Sequence, residues 1–249
     1  MVTDLAAFCG AWPAHPVQGR LRDVVDSLTQ VGVDRIALSP LDAVWCRNPH
    51  VYNAALIETC SVDDRLLPVP VIDPGIVTWE AELETASEAG VRLIRLFPNY
   101  HGYSLSDADP LLQRMSEGGL CVIVQTRMED PRTQHPLSVV DDVSADEIGA
   151  TTLRHPSLRV VIGGARVGEL RKLNERIKDA EHLYADVSQA DNADVLKVLI
   201  DDGLGERLVF GSHAPLFNAH AAMMRVVTDV EDDEAETILS RNVEALLRQ

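Results

Sequence analysis

Two kinds of segment alternate along the chain: short runs of consecutive apolar residues, and longer stretches in which apolar residues recur every three or four positions. Leu21, Val24, Val25, Leu28 and Val31 fall on one face of a helix over 21–31, the spacing of an amphipathic helix packed on a core. Residues 34–39, 67–72, 91–97 and 120–125 are apolar runs of strand length, set off by turn residues. With 3–9 before them and 158–162, 182–187 and 207–211 after, the pattern predicts eight strands. Helices are predicted over 49–59, 78–89, 110–117, 145–154, 169–180 and 193–202, with two more over 219–228 and 233–247. Strands that are apolar throughout belong to parallel sheets covered by helices. Eight β-then-α units therefore predict an α/β fold, one (β/α)8 TIM barrel over residues 1–249.

Composition narrows the partners more than the fold. The chain has 249 residues, 46% of them hydrophobic, and no apolar run reaches the ~18 residues that would suggest a membrane span. The start, Met-Val-Thr-Asp, has neither a basic region nor a cleavage pattern, so a cytoplasmic protein is expected. A net charge of −17 excludes nucleic acid and anionic membranes as partners, since both demand basic surface. Cys9, Cys46, Cys60 and Cys121 form no C-x-x-C pair, and reduced thiols are the expectation. A homodimer is the ordinary expectation for a soluble oligomer.

In such a barrel the chemistry lies where strands run into the loops that follow them. His213 shares a face with Val209 and Gly211 at the end of strand 8, placed for a general base or a substrate hydrogen bond. Asp186 ends strand 7, as a base or as an arginine's partner. Arg95 is a charge near the end of an apolar strand. Buried there it needs an anionic partner, either a substrate carboxylate or phosphate, or a carboxylate such as Asp73 or Asp186. Gln125 ends strand 5 and faces inward if register follows its apolar neighbours. The loop over 98–109 carries Asn99, His101 and Tyr103, and the loop over 126–144 carries Arg127 and His135. Each of these either lines the pocket or holds its own loop together. Trp12 and Trp45 read as cover for the barrel mouth or as stacking surfaces. Gly163–Gly164 and the residues after them depart from a dinucleotide fingerprint and are set aside.

The run Leu208-Val209-Phe210-Gly211-Ser212-His213-Ala214-Pro215 resembles the eighth strand of amidohydrolase-related proteins, an apolar strand followed by Gly-Ser-Asp-x-Pro. Ile238-Leu239-Ser240-Arg241-Asn242-Val243 is similar to that family's closing helix, and residues 155–164 to the lead into its sixth strand. Thr3-Asp4-Leu5-Ala6-Ala7-Phe8-Cys9-Gly10 stands where the family has I-D-x-H-x-H-x-G. The resemblance implies a TIM barrel that hydrolyses amides, esters or lactones, or decarboxylates aromatic acids, usually with a divalent metal activating water. Matched one by one, the family's first-strand histidines fall on Ala6 and Phe8, and its fifth-strand histidine on Gln125. The sixth-strand histidine falls near Gly163 or Gly164, and the eighth-strand aspartate on His213.

The expectation is therefore a hydrolase of a small anionic lactone, ester or amide, with no cofactor and no bound metal. His213, His101 and Asp186 would be catalytic. Arg95, Gln125, Tyr103, Asn99, His135 and Arg127 would bind the substrate. Two alternatives stay open: a divalent metal such as zinc on a replacement set of His213, His101 and His135, or a non-catalytic barrel that binds a small ligand or a protein.

Overall fold

The computed structural model describes residues 1–130, 132 and 134–248. Eight parallel strands follow one another around the barrel: β1 (Thr3–Cys9), β2 (Arg35–Pro40), β3 (Leu66–Pro68), β4 (Leu93–Leu96), β5 (Cys121–Gln125), β6 (Arg159–Gly163), β7 (Leu183–Asp186) and β8 (Leu208–Val209). They form two ladders, β1-β2-β3 and β4-β5-β6-β7-β8. A parallel bridge from Val71 to Arg95 joins the ladders on one side. On the other, the Leu5 amide donates to the Phe210 carbonyl (3.0 Å) and the Phe8 amide to the Ala214 carbonyl (2.8 Å). These bonds close the ring, so the predicted (β/α)8 barrel is the observed fold.

Around it lie α1 (Leu21–Gln30), α2 (Asn53–Cys60), α3 (Trp79–Glu88), the short α4 (Pro98–His101), α5 (Asp109–Glu117), α6 (Ala145–Arg154), α7 (Val167–Lys172), α8 (Asn174–Asp179), α9 (Val195–Asp201), α10 (Ala219–Asp229), α11 (Asp232–Glu236) and α12 (Asn242–Leu247). No helix among the described residues is long and apolar enough to cross a membrane. The third strand ends at Pro68, short of the predicted 67–72, because Pro68 and Pro70 have no N–H to give a ladder. The helix predicted over 169–180 is two, α7 and α8. The one predicted over 233–247 is interrupted by a π turn, Thr237–Arg241. The Ile238 carbonyl in that turn accepts the Phe210 amide (3.1 Å), and Asn242 Nδ2 donates to the Gly205 (2.8 Å) and Leu208 (2.6 Å) carbonyls. The irregular helix thus takes up backbone groups that the short β8 leaves unpaired.

Three apolar layers stack along the barrel axis and around it. Leu5, Ala37, Val69, Leu93, Ile123, Val161, Tyr184 and Val209 fill the lower interior, and Val243 and Leu246 of α12 close it from below. A larger cluster packs the helices onto the outside of the strands. The third fills the upper end, around Phe8, Trp12 and Phe97. Small residues make room between the layers. A Cβ added at Gly211 would lie 2.8 Å from the Ala6 Cβ and 3.1 Å from the Asp186 Cβ, both carried on strand backbone. Gly211→Ala is therefore expected to lose about 1–3 kcal/mol of stability through overpacking. Urea denaturation checks this, and an unchanged midpoint would show that β8 does not approach β1 and β7 so closely.

Candidate functional site

Arg95 stands at the centre of the barrel and is fully buried. Its Nε–H donates to Ser39 Oγ on β2 (2.9 Å), its Nη2–H to the Leu5 carbonyl on β1 (2.8 Å) and its Nη1–H to Gln125 Oε1 on β5. Gln125 in turn donates Nε2–H to the Arg127 carbonyl (2.8 Å). The Phe8 ring covers the guanidinium, with its centroid 4.6 Å from the guanidinium carbon, in cation–π contact. Burial lowers the Arg95 pKa to about 10 against the opposing pull of Asp186 and Asp4, and the group remains a cation at neutral pH.

Two buried acids face this cation, each held by its own neighbours. Asp4 accepts from the Ala6 amide (2.9 Å), the Ser212 amide (3.0 Å) and Ser212 Oγ (2.5 Å), tying β1 to the chain after β8. Asp186 Oδ1 accepts from the Gly164 amide (3.1 Å), the Ser188 amide (3.0 Å) and Ser188 Oγ (2.5 Å). Its Oδ2 is buried without a partner. Burial raises the pKa of both acids.

His213 is fully buried above them, in the left-handed region at φ 57°. Its Nε2 lies 2.8 Å from the Met128 carbonyl. A carbonyl only accepts, so the proton sits on Nε2 and the buried Nδ1, which has no partner, keeps its lone pair. Burial lowers the imidazole pKa to about 3, with Arg95 adding to the effect, so His213 is a neutral and weakly basic ring.

The axis above Arg95 is filled. Phe8, Trp12, Leu41, Ala43, Val44, Val71, Phe97 and Met128 form one buried apolar cluster at the end of the barrel where the strands give way to loops. Trp12, Trp45 and Tyr100 continue it outward in successive edge and tilted contacts, so the tryptophans cover the mouth. His15 Nε2 meets the buried Glu129 Oε1 at 2.8 Å and draws the loop after β1 across the top.

The other expected site residues do not converge on this centre. His101 bonds the Ala43 carbonyl through Nε2 (3.0 Å). Asn99 donates to the Asp141 carbonyl (2.6 Å) and joins two loops. Tyr103 is packed in the outer cluster between strands and helices. His135 Nδ1 accepts the Leu137 amide (3.2 Å) within its own loop. Arg127 is buried between Asp142 (2.8 Å) and Glu169, and also reaches the Gly164 carbonyl (2.6 Å). Arg95, Gln125, Asp186 and His213 are the four that the interior gathers, joined by Asp4, Ser39, Ser188 and Ser212, which the residue pattern did not single out. Asp4 carried the same signal as Arg95, a charge inside an apolar strand.

Open space on this face lies beside the axis. A cavity of about 170 Å³ is bounded by Arg166, Ser188, Gln189, Ser212, Phe217 and Arg225. Arg225 is half-buried and donates to the Val187 carbonyl (3.1 Å). Asp130 and Asp191 also reach this cavity, and Asp130 is held by both Nε and Nη2 of Arg132.

The profile of the amidohydrolase family Amidohydro_2 matches residues 10–249. No curated protein matches the sequence. Among solved structures, a TIM-barrel protein of Bordetella bronchiseptica is similar at TM-score 0.76 and 17% identity, over 99% of this chain and 98% of that one. The 2,6-dihydroxybenzoate decarboxylase from Rhizobium is similar at TM-score 0.73 and 16% identity, over 99% of each chain. A dihydroxybenzoic acid decarboxylase from Polaromonas, with bound manganese and the inhibitor 2-nitroresorcinol, is similar at TM-score 0.71 and 16% identity, over 99% of this chain and 96% of that one.

The manganese corrects the cofactor expectation: a barrel of this fold binds a metal, and the expectation of no cofactor does not stand. The side chains present here nevertheless do not match a divalent ion. Among the described residues no three His, Cys, Asp or Glu side chains come together to hold one. His213, His101 and His135 bond separate backbone groups, so the replacement zinc set is not assembled. The charge at the barrel centre is instead the guanidinium of Arg95.

The depressed pKa of His213 makes a prediction about acid stability. Its folded value lies below the unfolded value of about 6.5. The stability it contributes is complete above about pH 6.5 and is lost as pH falls toward 3. Asp4 and Asp186, whose values are raised, act oppositely and lose stability as pH rises above the ordinary carboxylate range. His213→Asn keeps a residue that tolerates positive φ. Relative to the wild type it is expected to gain on the order of 3 kcal/mol between about pH 6.5 and about pH 4. Denaturation across that range reads the difference, and parallel profiles would mean that His213 is not buried as a neutral ring.

Proposed function

The chain belongs to the Amidohydro_2 amidohydrolase family, and from that premise we propose that it takes a small anionic aromatic compound at the C-terminal face of its barrel, beside the axis rather than on it. The observation that carries this reading is the pairing of a filled axis with a neighbouring cavity of about 170 Å³ that offers arginines and a ring. Arg166 and Arg225 supply charge-assisted donors for a carboxylate, Phe217 a stacking face, and Ser188 and Gln189 polar contacts that fix orientation. Asp130 is paired with Arg132 and Asp142 is shared between Arg127 and Arg166, which leaves the two arginines facing Asp191 alone among the described residues that line the cavity. The compounds named with the similar decarboxylases, dihydroxybenzoates, are of this size and charge and are the first to try.

One observation favours a second reading, in which the bound compound is a lactone, ester or amide and is hydrolysed. Asp186 Oδ2 and His213 Nδ1 are buried acceptors with no partner. Asp186, with its pKa raised by burial, is the better base of the two, and Ser188 connects it to the cavity wall. Arg166 and Arg225, which line the cavity, then hold the negative charge that develops.

Calorimetry with 2,6-dihydroxybenzoate is expected to show saturable binding that weakens at least tenfold in Arg225→Ala and in Arg166→Ala. Absence of binding, or affinity unchanged in both variants, would sink the proposal. Incubation of the bound compounds and of an aromatic lactone and ester panel separates the two readings. Turnover that Asp186→Asn lowers a hundredfold or more, within the usual range for a general base, supports catalysis. No turnover leaves binding as the function.

A further inference from the structure

The opposite end of the barrel holds a larger cavity, of about 470 Å³, inside the ~300–1,000 Å³ range of small-molecule sites. It lies where β1 to β4 begin. Leu67, Val91, Leu93, Val243 and Leu247 give it apolar walls, and Thr3 is the buried polar group beside them. Its origin is the placement of α12. The helix packs Val243 and Leu246 against the lower interior layer, and Arg159 Nη1 holds the Leu246 carbonyl (2.8 Å). That seals the side of β6. On the side of β2, β3 and β4 the floor is left uncovered, and Leu67 and Leu247 remain only half-buried.

The rim of this cavity carries Arg35, Arg92 and Arg248. Arg248 is paired with Glu244, one turn earlier on the same helix. Arg35, the first residue of β2, and Arg92, next to β4, have no side-chain hydrogen bond or ion pair among the described residues. Arg35 is half-buried and Arg92 exposed, and with Arg248 they outnumber Glu244, the one acid on this rim, in a chain with 39 acidic against 22 basic residues. Two unpaired guanidinium groups at the edge of an apolar cavity are therefore a local reversal of the molecule's field, and such a reversal concentrates anions. An arginine with free donors binds a carboxylate through parallel N–H bonds, while the walls reward an apolar body.

We propose that this cavity is a second ligand site, for an amphipathic carboxylate: a straight acyl chain against Leu67, Val91, Leu93, Val243 and Leu247, and a carboxylate between Arg35 and Arg92. Nothing in the proposed function requires it, because the two cavities lie at opposite ends of the barrel. A ligand here would stabilise the lower barrel by binding only the folded chain, and it would cover the apolar surface that α12 leaves open.

The test titrates hexanoate, octanoate and decanoate into the full chain by calorimetry. Burial of each CH₂ is worth about a fourfold change in affinity, so octanoate is expected to bind about fifteenfold tighter than hexanoate. The double variant Arg35→Ala/Arg92→Ala is expected to bind octanoate more than tenfold more weakly with its melting temperature unchanged, since both side chains are unpaired. Octan-1-ol is expected to bind no more tightly than octanoate does to the double variant, and 2,6-dihydroxybenzoate not to compete. No saturable octanoate binding, no dependence on chain length, equal affinity in the double variant, or competition with 2,6-dihydroxybenzoate each overturns the proposal. So does a dimer, seen by sedimentation, that octanoate neither loosens nor enters.

Discussion

A guanidinium with no exposure to water sets the terms for the rest of this barrel. Removing Arg95 from solvent is costly unless its donors and its charge are answered nearby. The answers come from around the ring: the Leu5 carbonyl on β1, Ser39 on β2 and Gln125 on β5, with Asp4 and Asp186 close enough to favour the charged form. Each partner is then fixed in turn. Ser39 donates to the Val69 carbonyl (2.9 Å), Gln125 to the Arg127 carbonyl (2.8 Å), Asp4 is capped by Ser212 after β8, and Asp186 by Ser188 just beyond its own strand. One buried cation thus ties β1, β2, β3, β4 and β5 into a common hydrogen-bonded layer.

That layer also determines what lies above it. A buried cation is protected best by a low-polarity lid that holds a ring against it, and Phe8 with the cluster around it supplies one. The lid occupies the place on the axis where a barrel of this kind ordinarily receives its substrate. The family membership and the filled axis are compatible because a fold and the chemistry grafted on it vary separately. Here the interior is a closed polar core, and the open space lies aside, among the loops after β6, β7 and β8.

Much of this was legible in the residue pattern. Eight apolar runs alternating with amphipathic helices specify a parallel barrel, because few other arrangements bury strands that are apolar on both faces. The charge in β4 marked Arg95 for the same reason that β1 could have marked Asp4. What the pattern could not show is which long loops turn inward. Asn99, His101, Tyr103 and His135 share loops with mouth residues, yet Asn99 and His101 bond carbonyls, His135 an amide of its own loop, and Tyr103 packs among apolar side chains, while His101 Nδ1 and the Tyr103 hydroxyl are buried without a partner. Loop side chains are committed by contacts between segments far apart in sequence, and spacing does not encode those. Arg225 sits on α10 with ordinary helical neighbours and gains meaning only from the loops opposite it. The third strand and the last helix differ for local reasons, prolines without donors and a π turn that serves β8.

The Asp4 carboxylate, bonded to Ser212, links residues 208 positions apart. A contact that distant is among the slowest a chain can find, since the intervening loop must first be closed. Until residues 210–214 are in place, the edge of β1 opposite β2 has no strand to pair with. An acid held in a strand edge is one of the devices that discourage such an edge from pairing with another molecule. Asp4 is therefore the clasp of the ring: its carboxylate joins the first strand to the chain after the eighth, and that bond forms only once both ends of the barrel have met.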